Sequence, residues 1–274
     1  MVDLNAKAAE FRKQGLGVAT ISYDSVAILK NFSDRKGISI PMLSDPHSQI
    51  IKAFGILNTN VETTSPVYGI PYPGTYIVNP RGVVKSKYFH DDYTERFSAG
   101  SMLTREFGEN GMEKNVVDNP QITLTYSASD SSFAPGHRIT LIIDVDPKPK
   151  MHVYAPGVKD GYIPIDWKMI DTPASVAYPV VYPDSHMLHL PAINETVPVY
   201  DNHIRLLRDI IIGQEKEIAS ALSADRSLSV EGKFRYQACD DRECYIPKEI
   251  PLKWTFKIGQ LESERVPPAI RKRP

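Results

Sequence analysis

Two cysteines near the end of the sequence have the residue type and spacing for thiol–disulfide chemistry. Cys239 and Cys244 are the only cysteines among the 274 residues, and four residues lie between them. A close pair in a chain of this length fits a redox centre better than a structural framework. The pair can close a disulfide if the two Cα atoms come within roughly 7 Å. We therefore expect a partly exposed disulfide at the end of a β-hairpin.

The residues between the cysteines are mainly acidic. Asp240, Asp241 and Glu243 disfavour a thiolate, whereas Arg242 favours one. Because the balance is acidic, neither sulfur is expected to be a strongly activated nucleophile. This suits a pair that exchanges electrons with a partner better than a thiolate that attacks peroxide, and Arg242 is a candidate contact to such a partner.

The cysteine segment has two other interpretations, a structural disulfide, which remains open, and a metal site, for which the signal is weak. The disulfide could be an inert structural staple, although so short a loop gains little stability from closure. Zinc is not expected, because two further ligands at zinc spacing are not evident. His186 and His189 have a metal-like spacing, but they fall in a strand-like segment and are more simply a surface or core pair. We expect neither a metal nor another cofactor.

The cysteines belong to a half of the chain that reads as all-β. Short strand patterns separated by proline-rich turns predict a β-sandwich over residues 119–260. Residues 203–212 have a helical periodicity, but we predict a strand because β-branched residues crowd the end of this segment. The predicted strands cover residues 121–126, 138–144, 152–154, 163–169, 176–181, 196–200, 203–212, 228–236 and 252–258.

The first 110 residues alternate between helix and strand patterns, as α/β domains do. Ser25 is expected to cap a helix that Gly37 stops, and Ile50, Ile51 and Phe54 are expected to face inward from another. The breakers Asn110-Gly111 and Asn119-Pro120 predict a linker over about 108–118. The predicted helices cover residues 3–14, 26–36, 47–54 and 93–107, the predicted strands 17–22, 39–43, 75–78 and 83–89, and a solvated tail 261–274.

The cysteine segment resembles a known family. Tyr236-Gln-Ala-Cys239 and Cys244-Tyr-Ile-Pro247, with Ile250–Trp254 after them, are similar to the N-terminal periplasmic domain of the thiol–disulfide interchange protein family DsbD. Met151–Gly157 and Gly161–Pro164 resemble the early strands of that domain. The resemblance implies an immunoglobulin-like sandwich in which Cys239 and Cys244 match the reactive pair. It also implies electron transfer between a membrane-embedded partner and periplasmic thioredoxin-like proteins.

The first half resembles a different redox family. Ser22–Ser25, Pro41–Pro46, Ala53–Gly55 and Pro73–Gly82 are similar to the AhpC/TSA group of peroxiredoxins and redoxins. This resemblance implies a thioredoxin-like fold in which Pro73 matches the cis-proline that faces the active-site cysteines. An ordinary proline at the start of a strand is the alternative interpretation of Pro73.

The first half departs from that family in one decisive respect, because residues 1–110 contain no cysteine. The family's catalytic cysteine lies on the first turn of the helix that here begins near Asp3, and two strands normally precede it. We therefore expect an incomplete domain without peroxidase activity. We also expect the full gene product to be longer, with the missing strands, a cysteine and an export signal upstream of Met1.

The whole sequence therefore predicts a thiol–disulfide oxidoreductase of the redoxin type with a DsbD-like electron-transfer domain, acting through Cys239 and Cys244. The alternative is a non-catalytic module that docks thioredoxin-like partners and carries a structural disulfide. The net charge of -1 gives no field for nucleic acid. No apolar run approaches the roughly 20 residues of a membrane helix, so any membrane link is through a partner. We expect no signal peptide within the given residues, and the resemblance implies a periplasmic or extracytoplasmic location for the full-length protein.

Overall fold

The computed structural model describes residues 1–65, 67–89, 95–109, 111–159, 161–190, 194–260, 264 and 266–268. The chain divides into a first unit, Met1–Phe107 with Gln260–Pro274, and a second unit, Gly108–Gly259. Most of the expected tail 261–274 lies outside the described residues. No helix in the described part of the chain is both long enough and apolar enough to cross a membrane.

The first unit combines short helices with two pairs of strands. Strand β1 pairs in parallel with β2, and β3 pairs antiparallel with β4. Its elements are α1 Val2–Ala6, α2 Ala8–Lys13, β1 Thr20–Ser22, α3 Val26–Lys36, β2 Met42–Ser44, α4 Gln49–Ala53, β3 Gly74–Val78, β4 Val84–Phe89, β5 Arg96–Phe97 and α5 Ala99–Phe107.

The ends of helix α3 are set by the residues that the sequence indicates. The Ser25 side chain accepts a hydrogen bond from the backbone N–H of Ile28, which satisfies one of the free donors at the helix start. Gly37 ends the helix in the left-handed region, with φ of 60°. The helix expected at 3–14 is instead two short helices, α1 and α2, which meet at Lys7.

Helix α4 corrects one expectation about the core. Ile51 is buried, but Ile50 and Phe54 are 47% and 54% exposed, so the prediction that both face inward is wrong. The helix begins at Gln49 and is only five residues long. A helix of that length can bury one side chain of this set, and the Phe54 ring packs sideways against Tyr76, with the ring centroids 5.6 Å apart.

The second unit is built almost entirely from strands. One short helix, α6 Glu215–Ile218, interrupts them and was not predicted. The strands are β6 Asn115–Asp118, β7 Ile122–Ala128, β8 Ser132–Phe133, β9 His137–Pro147, β10 His152–Tyr154, β11 Asp166–Met169, β12 Ser175–Ala177, β13 His186–Leu190, β14 Glu195–Tyr200, β15 Ile204–Ile212, β16 Ser227–Tyr236, β17 Ala238–Cys239 and β18 Lys248–Ile258.

Two sheets of this unit enclose its main hydrophobic core. One has the strand order β12-β15-β9-β7-β6 and the other β11-β16-β18-β8. Strands β16 and β18 alternate strictly between buried and exposed residues, as strands with one face on a core do. The rings of Trp167 and Trp254 stack 5.9 Å apart in this core, and the Trp254 indole donates to the Ser127 carbonyl at 2.8 Å.

The strand predicted at 203–212 is confirmed, whereas part of the expected linker is a strand. Residues Ile204–Ile212 form a strand, as predicted from their β-branched side chains. Residues 115–118, in contrast, are not a linker, because they form the edge strand β6 and pair antiparallel with β7. The valine pair Val116-Val117 supplies the β propensity that outweighs the breakers on either side.

A third sheet, with the order β13-β14-β10-β17, positions the cysteines. Strand β10 lies between β14 and β17 and pairs antiparallel with both. Strand β17 contains only Ala238 and Cys239, and it follows β16 in the chain after one residue. Cys239 is therefore fixed to β10 by backbone pairing, and the chain turns away from the strand after it.

Candidate functional site

The two cysteines form a disulfide at the end of a β-hairpin. Strands β16 and β18 pair as far as Tyr236 and Lys248, and the cysteine segment connects them. The Cα atoms of Cys239 and Cys244 lie 4.0 Å apart, and their sulfurs are bonded. The position and proximity of the pair are therefore those that the spacing predicts.

The two cysteines differ sharply in their exposure to solvent. Cys239 is 1% exposed and packs in a small apolar cluster with Tyr154, Val197 and Val199. Cys244 is exposed. Cys244 is therefore the cysteine that faces solvent, whereas Cys239 is shielded by the β10 strand and its neighbours. The sequence alone left open which sulfur an attacking group would meet.

A single carboxylate organises the loop between the cysteines. The Asp240 carboxylate accepts hydrogen bonds from the backbone N–H groups of Glu243 and Arg242, at 2.9 and 2.7 Å, and from the Tyr245 hydroxyl at 3.0 Å. These bonds favour the ionised form and hold the pKa of Asp240 below its ordinary value. The charge of Asp240 thus fixes the turn that presents Cys244.

A tyrosine hydroxyl contacts both sulfurs. The Tyr154 Oη lies 3.2 Å from the Cys239 Sγ and 3.4 Å from the Cys244 Sγ. Disulfide sulfurs carry no hydrogen, so the hydroxyl is the donor. Burial raises the pKa of Tyr154, which keeps this proton on the oxygen. The site therefore holds a neutral donor beside the position where a sulfur anion forms when the disulfide opens.

A second tyrosine closes the apolar side of the site. The ring centroids of Tyr162 and Tyr154 lie 4.7 Å apart. The Tyr162 hydroxyl donates to the Glu195 carboxylate at 2.7 Å, and this bond is the main reason why the pKa of Tyr162 is raised to about 12. The bond fixes the Tyr162 ring against Tyr154, so it limits the movement of the hydroxyl that contacts the sulfurs.

Sequence reasoning missed the residues that surround the disulfide. It assigned no role to His152, Tyr154 or Glu195, and it treated Tyr162 as a core aromatic. One signal was present: His152 and Tyr154 alternate on a short strand, so their side chains lie on one face. Their pairing with Cys239, some 85 residues further along, is a long-range contact that spacing does not reveal.

The two candidate partner-binding residues lie in different parts of the molecule. Arg242 is exposed on the cysteine loop. Pro73 belongs to the first unit and precedes strand β3. The peptide bond before Pro73 is trans, so the cis-proline that the resemblance implied is not present there. The trans form is the more stable by about 0.5–1 kcal/mol, and the first unit has no cysteine pair for a cis-proline to face.

The described residues contain no cluster of three or more His, Cys, Asp or Glu side chains that could hold a metal ion. His186 and His189 lie on strand β13, three residues apart, so their side chains point to opposite faces. His186 instead lies 3.3 Å from Asp201, and His189 lies 3.4 Å from the Thr196 hydroxyl.

Comparison with known proteins relates the first part of the chain to peroxiredoxins. Residues 1–87 match the AhpC/TSA family, so the first unit carries a thioredoxin-like redoxin domain. Peroxiredoxin Bcp from Xanthomonas campestris is 31% identical over 83 residues, which are 30% of this chain and 51% of that protein. The chain spans about half the length of the curated relatives that it matches.

Two solved structures are similar to the later part of the chain. The N-terminal periplasmic domain of ScsB from Proteus mirabilis has a TM-score of 0.36 and 9% identity, over 54% of this chain and 52% of that one. The DsbD N-terminal domain from Neisseria meningitidis, in the reduced form, has a TM-score of 0.28 and 13% identity, over 41% of this chain and 74% of that one.

Proposed function

We propose that the protein is a thiol–disulfide oxidoreductase in which the second unit exchanges electrons through Cys239 and Cys244. The observation that carries this proposal is the asymmetry of the disulfide. One cysteine is exposed and the other is buried, and a tyrosine hydroxyl lies beside both sulfurs. A purely structural disulfide needs neither an exposed cysteine nor a hydroxyl donor beside its sulfurs.

The exchange begins when a partner thiolate attacks the Sγ of Cys244. A bond forms between the partner sulfur and Cys244, the Cys239–Cys244 bond breaks, and Cys239 leaves with the electron pair as a thiolate. The Tyr154 hydroxyl donates a hydrogen bond to this anion. A second partner thiol then displaces Cys244, so the partner is oxidised to a disulfide and the protein is reduced to a dithiol.

The surface around Cys244 suits a protein partner. Ile246 is 85% exposed two residues beyond the sulfur, and an exposed side chain of this kind offers an apolar contact. Asp241, Arg242 and Glu243, which precede Cys244 in the chain, are exposed and add charges. We infer that the partner is a thioredoxin-like protein, that Arg242 contributes to its binding, and that the exchange takes place outside the cytoplasm.

The resemblance in the cysteine segment extends this proposal to the fold and to the first unit. We infer that the two sheets around Trp167 and Trp254 form an immunoglobulin-like sandwich, with the cysteines at one end of it. The redoxin domain of the first unit has no cysteine of its own. Its role is therefore to bind a redox partner, with Pro73 at the contact, and not to carry the exchange.

Trapping of the mixed disulfide tests the exchange. A Cys239→Ser variant leaves the exposed Cys244 thiol without its resolving partner, so it is expected to accumulate a disulfide with an oxidised thioredoxin-like protein. The Cys244→Ser variant is the matched control and is expected to trap little, because its remaining thiol is buried. Non-reducing gels and mass spectrometry identify the linked sulfur. If neither variant traps a partner, the disulfide is structural and the protein is a docking module.

A further inference from the structure

One buried histidine lies directly beside the buried cysteine and has no part in the steps above. His152 is the residue opposite Cys239 in the antiparallel pairing of β10 with β17. Residues opposite each other in such a pair have Cβ atoms about 4.5–5.5 Å apart. His152 also lies on the same face of β10 as Tyr154, and the two rings meet edge to face with centroids 5.5 Å apart. Histidine, tyrosine and Cys239 therefore share one small volume.

The imidazole of His152 is buried, and one of its ring nitrogens has no hydrogen-bond partner among the described residues. The residue is 4% exposed, and its Nε2 atom has no hydrogen-bond partner among the described residues. Burial is the largest cause that lowers the pKa of His152. An uncharged imidazole with an open nitrogen is a proton acceptor in the pH range where its ordinary counterpart is partly charged.

The charges around His152 come from three neighbouring segments. Asp201, just after β14, and Asp240 and Asp241, on the cysteine loop, favour the imidazolium form, whereas His186 on β13 opposes it. Burial and His186 together outweigh the three carboxylates, so the pKa of His152 is lowered. The carboxylates nevertheless provide a nearby stabilising field for a transient positive charge, so the imidazole can accept a proton and pass it to solvent.

We propose that His152 is the residue that takes the proton from the Cys239 thiol when the disulfide is re-formed. This inference rests on the exchange proposed above and concerns its return half. When the protein dithiol reduces a disulfide, the exposed Cys244 attacks first and forms a mixed disulfide. Cys239 is then a buried thiol, and burial in apolar surroundings disfavours its thiolate. It needs a base before it can attack.

The step balances as follows. The Cys239 S–H bond breaks and its proton passes to His152, and the thiolate attacks the Cys244 Sγ. The Cys239–Cys244 bond forms, the bond from Cys244 to the partner sulfur breaks, and the partner leaves as a thiolate. The two cysteines are oxidised by two electrons and the partner disulfide is reduced. His152 releases the proton to solvent and returns to its neutral form.

Ellman's reagent, 5,5′-dithiobis(2-nitrobenzoate), separates the two chemical steps in the reduced full-length chain. Attack by Cys244 releases the first thionitrobenzoate, and attack by Cys239 on the resulting mixed disulfide releases the second. Both releases are followed by stopped-flow absorbance. General-base catalysis contributes about 10²–10⁴-fold. In His152→Gln, we therefore expect the second release to slow by about 100-fold at pH 7, with the first release changed by less than about twofold.

The pH profile of the second release adds a readout that a structural role would not move. With a neutral imidazole as base, the native rate is expected to be flat from about pH 6.5 to 8. In His152→Gln it is expected to rise towards tenfold per pH unit, because solvent must then remove the thiol proton. His189→Gln, an exposed histidine on β13, is the control and is expected to behave as the native protein does.

Each outcome decides between the two proposals. A first release that is absent in the native protein contradicts the proposed exchange itself. A normal first release with an equal second release in native and His152→Gln protein overturns the role of His152. If the glutamine variant does not fold, His152→Phe replaces it and is expected to show the same slow second release. The pH profile of the native protein is a further test. A native second release that rises tenfold per pH unit from pH 6 to 8 also overturns the role of His152.

Discussion

The hydroxyl of Tyr154 lies 3.2 Å from the Sγ of Cys239, although 85 residues separate them in the chain. The contact joins β10, an inner strand of the third sheet, to the last residue of its neighbouring strand β17. In this hydrogen bond the tyrosine is the donor, because the sulfurs carry no hydrogen while the disulfide is intact. The hydrogen bond from Tyr154 becomes stronger when Cys239 becomes an anion, since hydrogen bonds to charged groups are stronger than those between neutral ones.

The first prediction is that Tyr154→Phe slows opening of the disulfide. Hydrogen bonds to charged groups contribute roughly 1.5–3 kcal/mol, and 1.4 kcal/mol corresponds to a tenfold change in rate. We expect the rate of reduction by dithiothreitol to fall about tenfold or more. Tyr236→Phe removes a buried hydroxyl in the same unit that has no described partner, and it is expected to leave the rate within about twofold. Equal effects of the two substitutions would contradict a specific role for Tyr154.

The second prediction concerns the stability effect of Tyr236→Phe. Tyr236 is 1% exposed, and its hydroxyl has no hydrogen-bond partner among the described residues. An unsatisfied buried polar group costs about 1–3 kcal/mol. We therefore expect the substitution to raise the free energy of unfolding by about 1 kcal/mol, as measured by urea denaturation of the oxidised protein. A loss of stability would show that the hydroxyl is hydrogen-bonded after all.

The third prediction concerns the acid sensitivity of the cysteine loop. The pKa of Asp240 is below its ordinary value of 3.8 because the charged form accepts two backbone hydrogen bonds and one from Tyr245. A carboxyl group whose pKa is lower in the folded than in the unfolded state stabilises the fold at pH values above its unfolded-state pKa. This stabilisation is lost as the pH falls through its folded-state pKa. Asp240→Asn is therefore expected to lower the free energy of unfolding at pH 6. The difference in this free energy between the variant and the native protein is expected to shrink as the pH falls below about 4.

Hydrogen exchange at the amides of Arg242 and Glu243 measures this effect locally. Both N–H groups are bonded to Asp240 in the native protein, so their protection is expected to fall in the asparagine variant at pH 6. Asp241→Asn changes an exposed neighbour in the same loop and serves as the control for charge alone. If both variants lose protection equally, the loop responds to its net charge and not to the Asp240 bonds.

The fourth prediction is that the first unit has no thiol-dependent peroxidase activity. It contains no cysteine that could attack peroxide, although residues 1–87 match the AhpC/TSA family. A Cys239→Ser, Cys244→Ser double variant is expected to consume no hydrogen peroxide above the buffer rate in a dithiothreitol-coupled assay. Peroxide consumption that survives in the double variant would mean that another group performs the chemistry.

The parts of the site that depend on local sequence could be predicted, and those that depend on distant pairing could not. The spacing of Cys239 and Cys244 and the hairpin around them follow from short-range patterns. The burial of one cysteine and the exposure of the other depend on β10, whose pairing with β17 is long-range. For the same reason no role could be assigned to His152 from the sequence, because this residue becomes significant only opposite Cys239.

In the fold, strand identity was predicted better than the boundaries of elements. The β-branched residues at the end of 203–212 decide correctly for a strand, because they fit a pleated surface. The polar stretch before Asn119-Pro120 favours a linker, yet residues 115–118 extend the sheet beside β7. An edge strand needs only one partner, so a single well-placed neighbour recruits a short segment whose own signals are weak.

The unequal exposure of the two cysteines also bears on oxidative damage. A small oxidant in solution meets the exposed Cys244 of the reduced protein first, and the first product there is a sulfenic acid. With the Cα atoms of the two cysteines 4.0 Å apart, the Cys239 thiol is near enough to condense with that acid, releasing water and restoring the disulfide. The condensation competes with further oxidation to the irreversible sulfinic and sulfonic acids. The buried cysteine thus acts as a built-in safeguard that returns an oxidised surface thiol to a recoverable state.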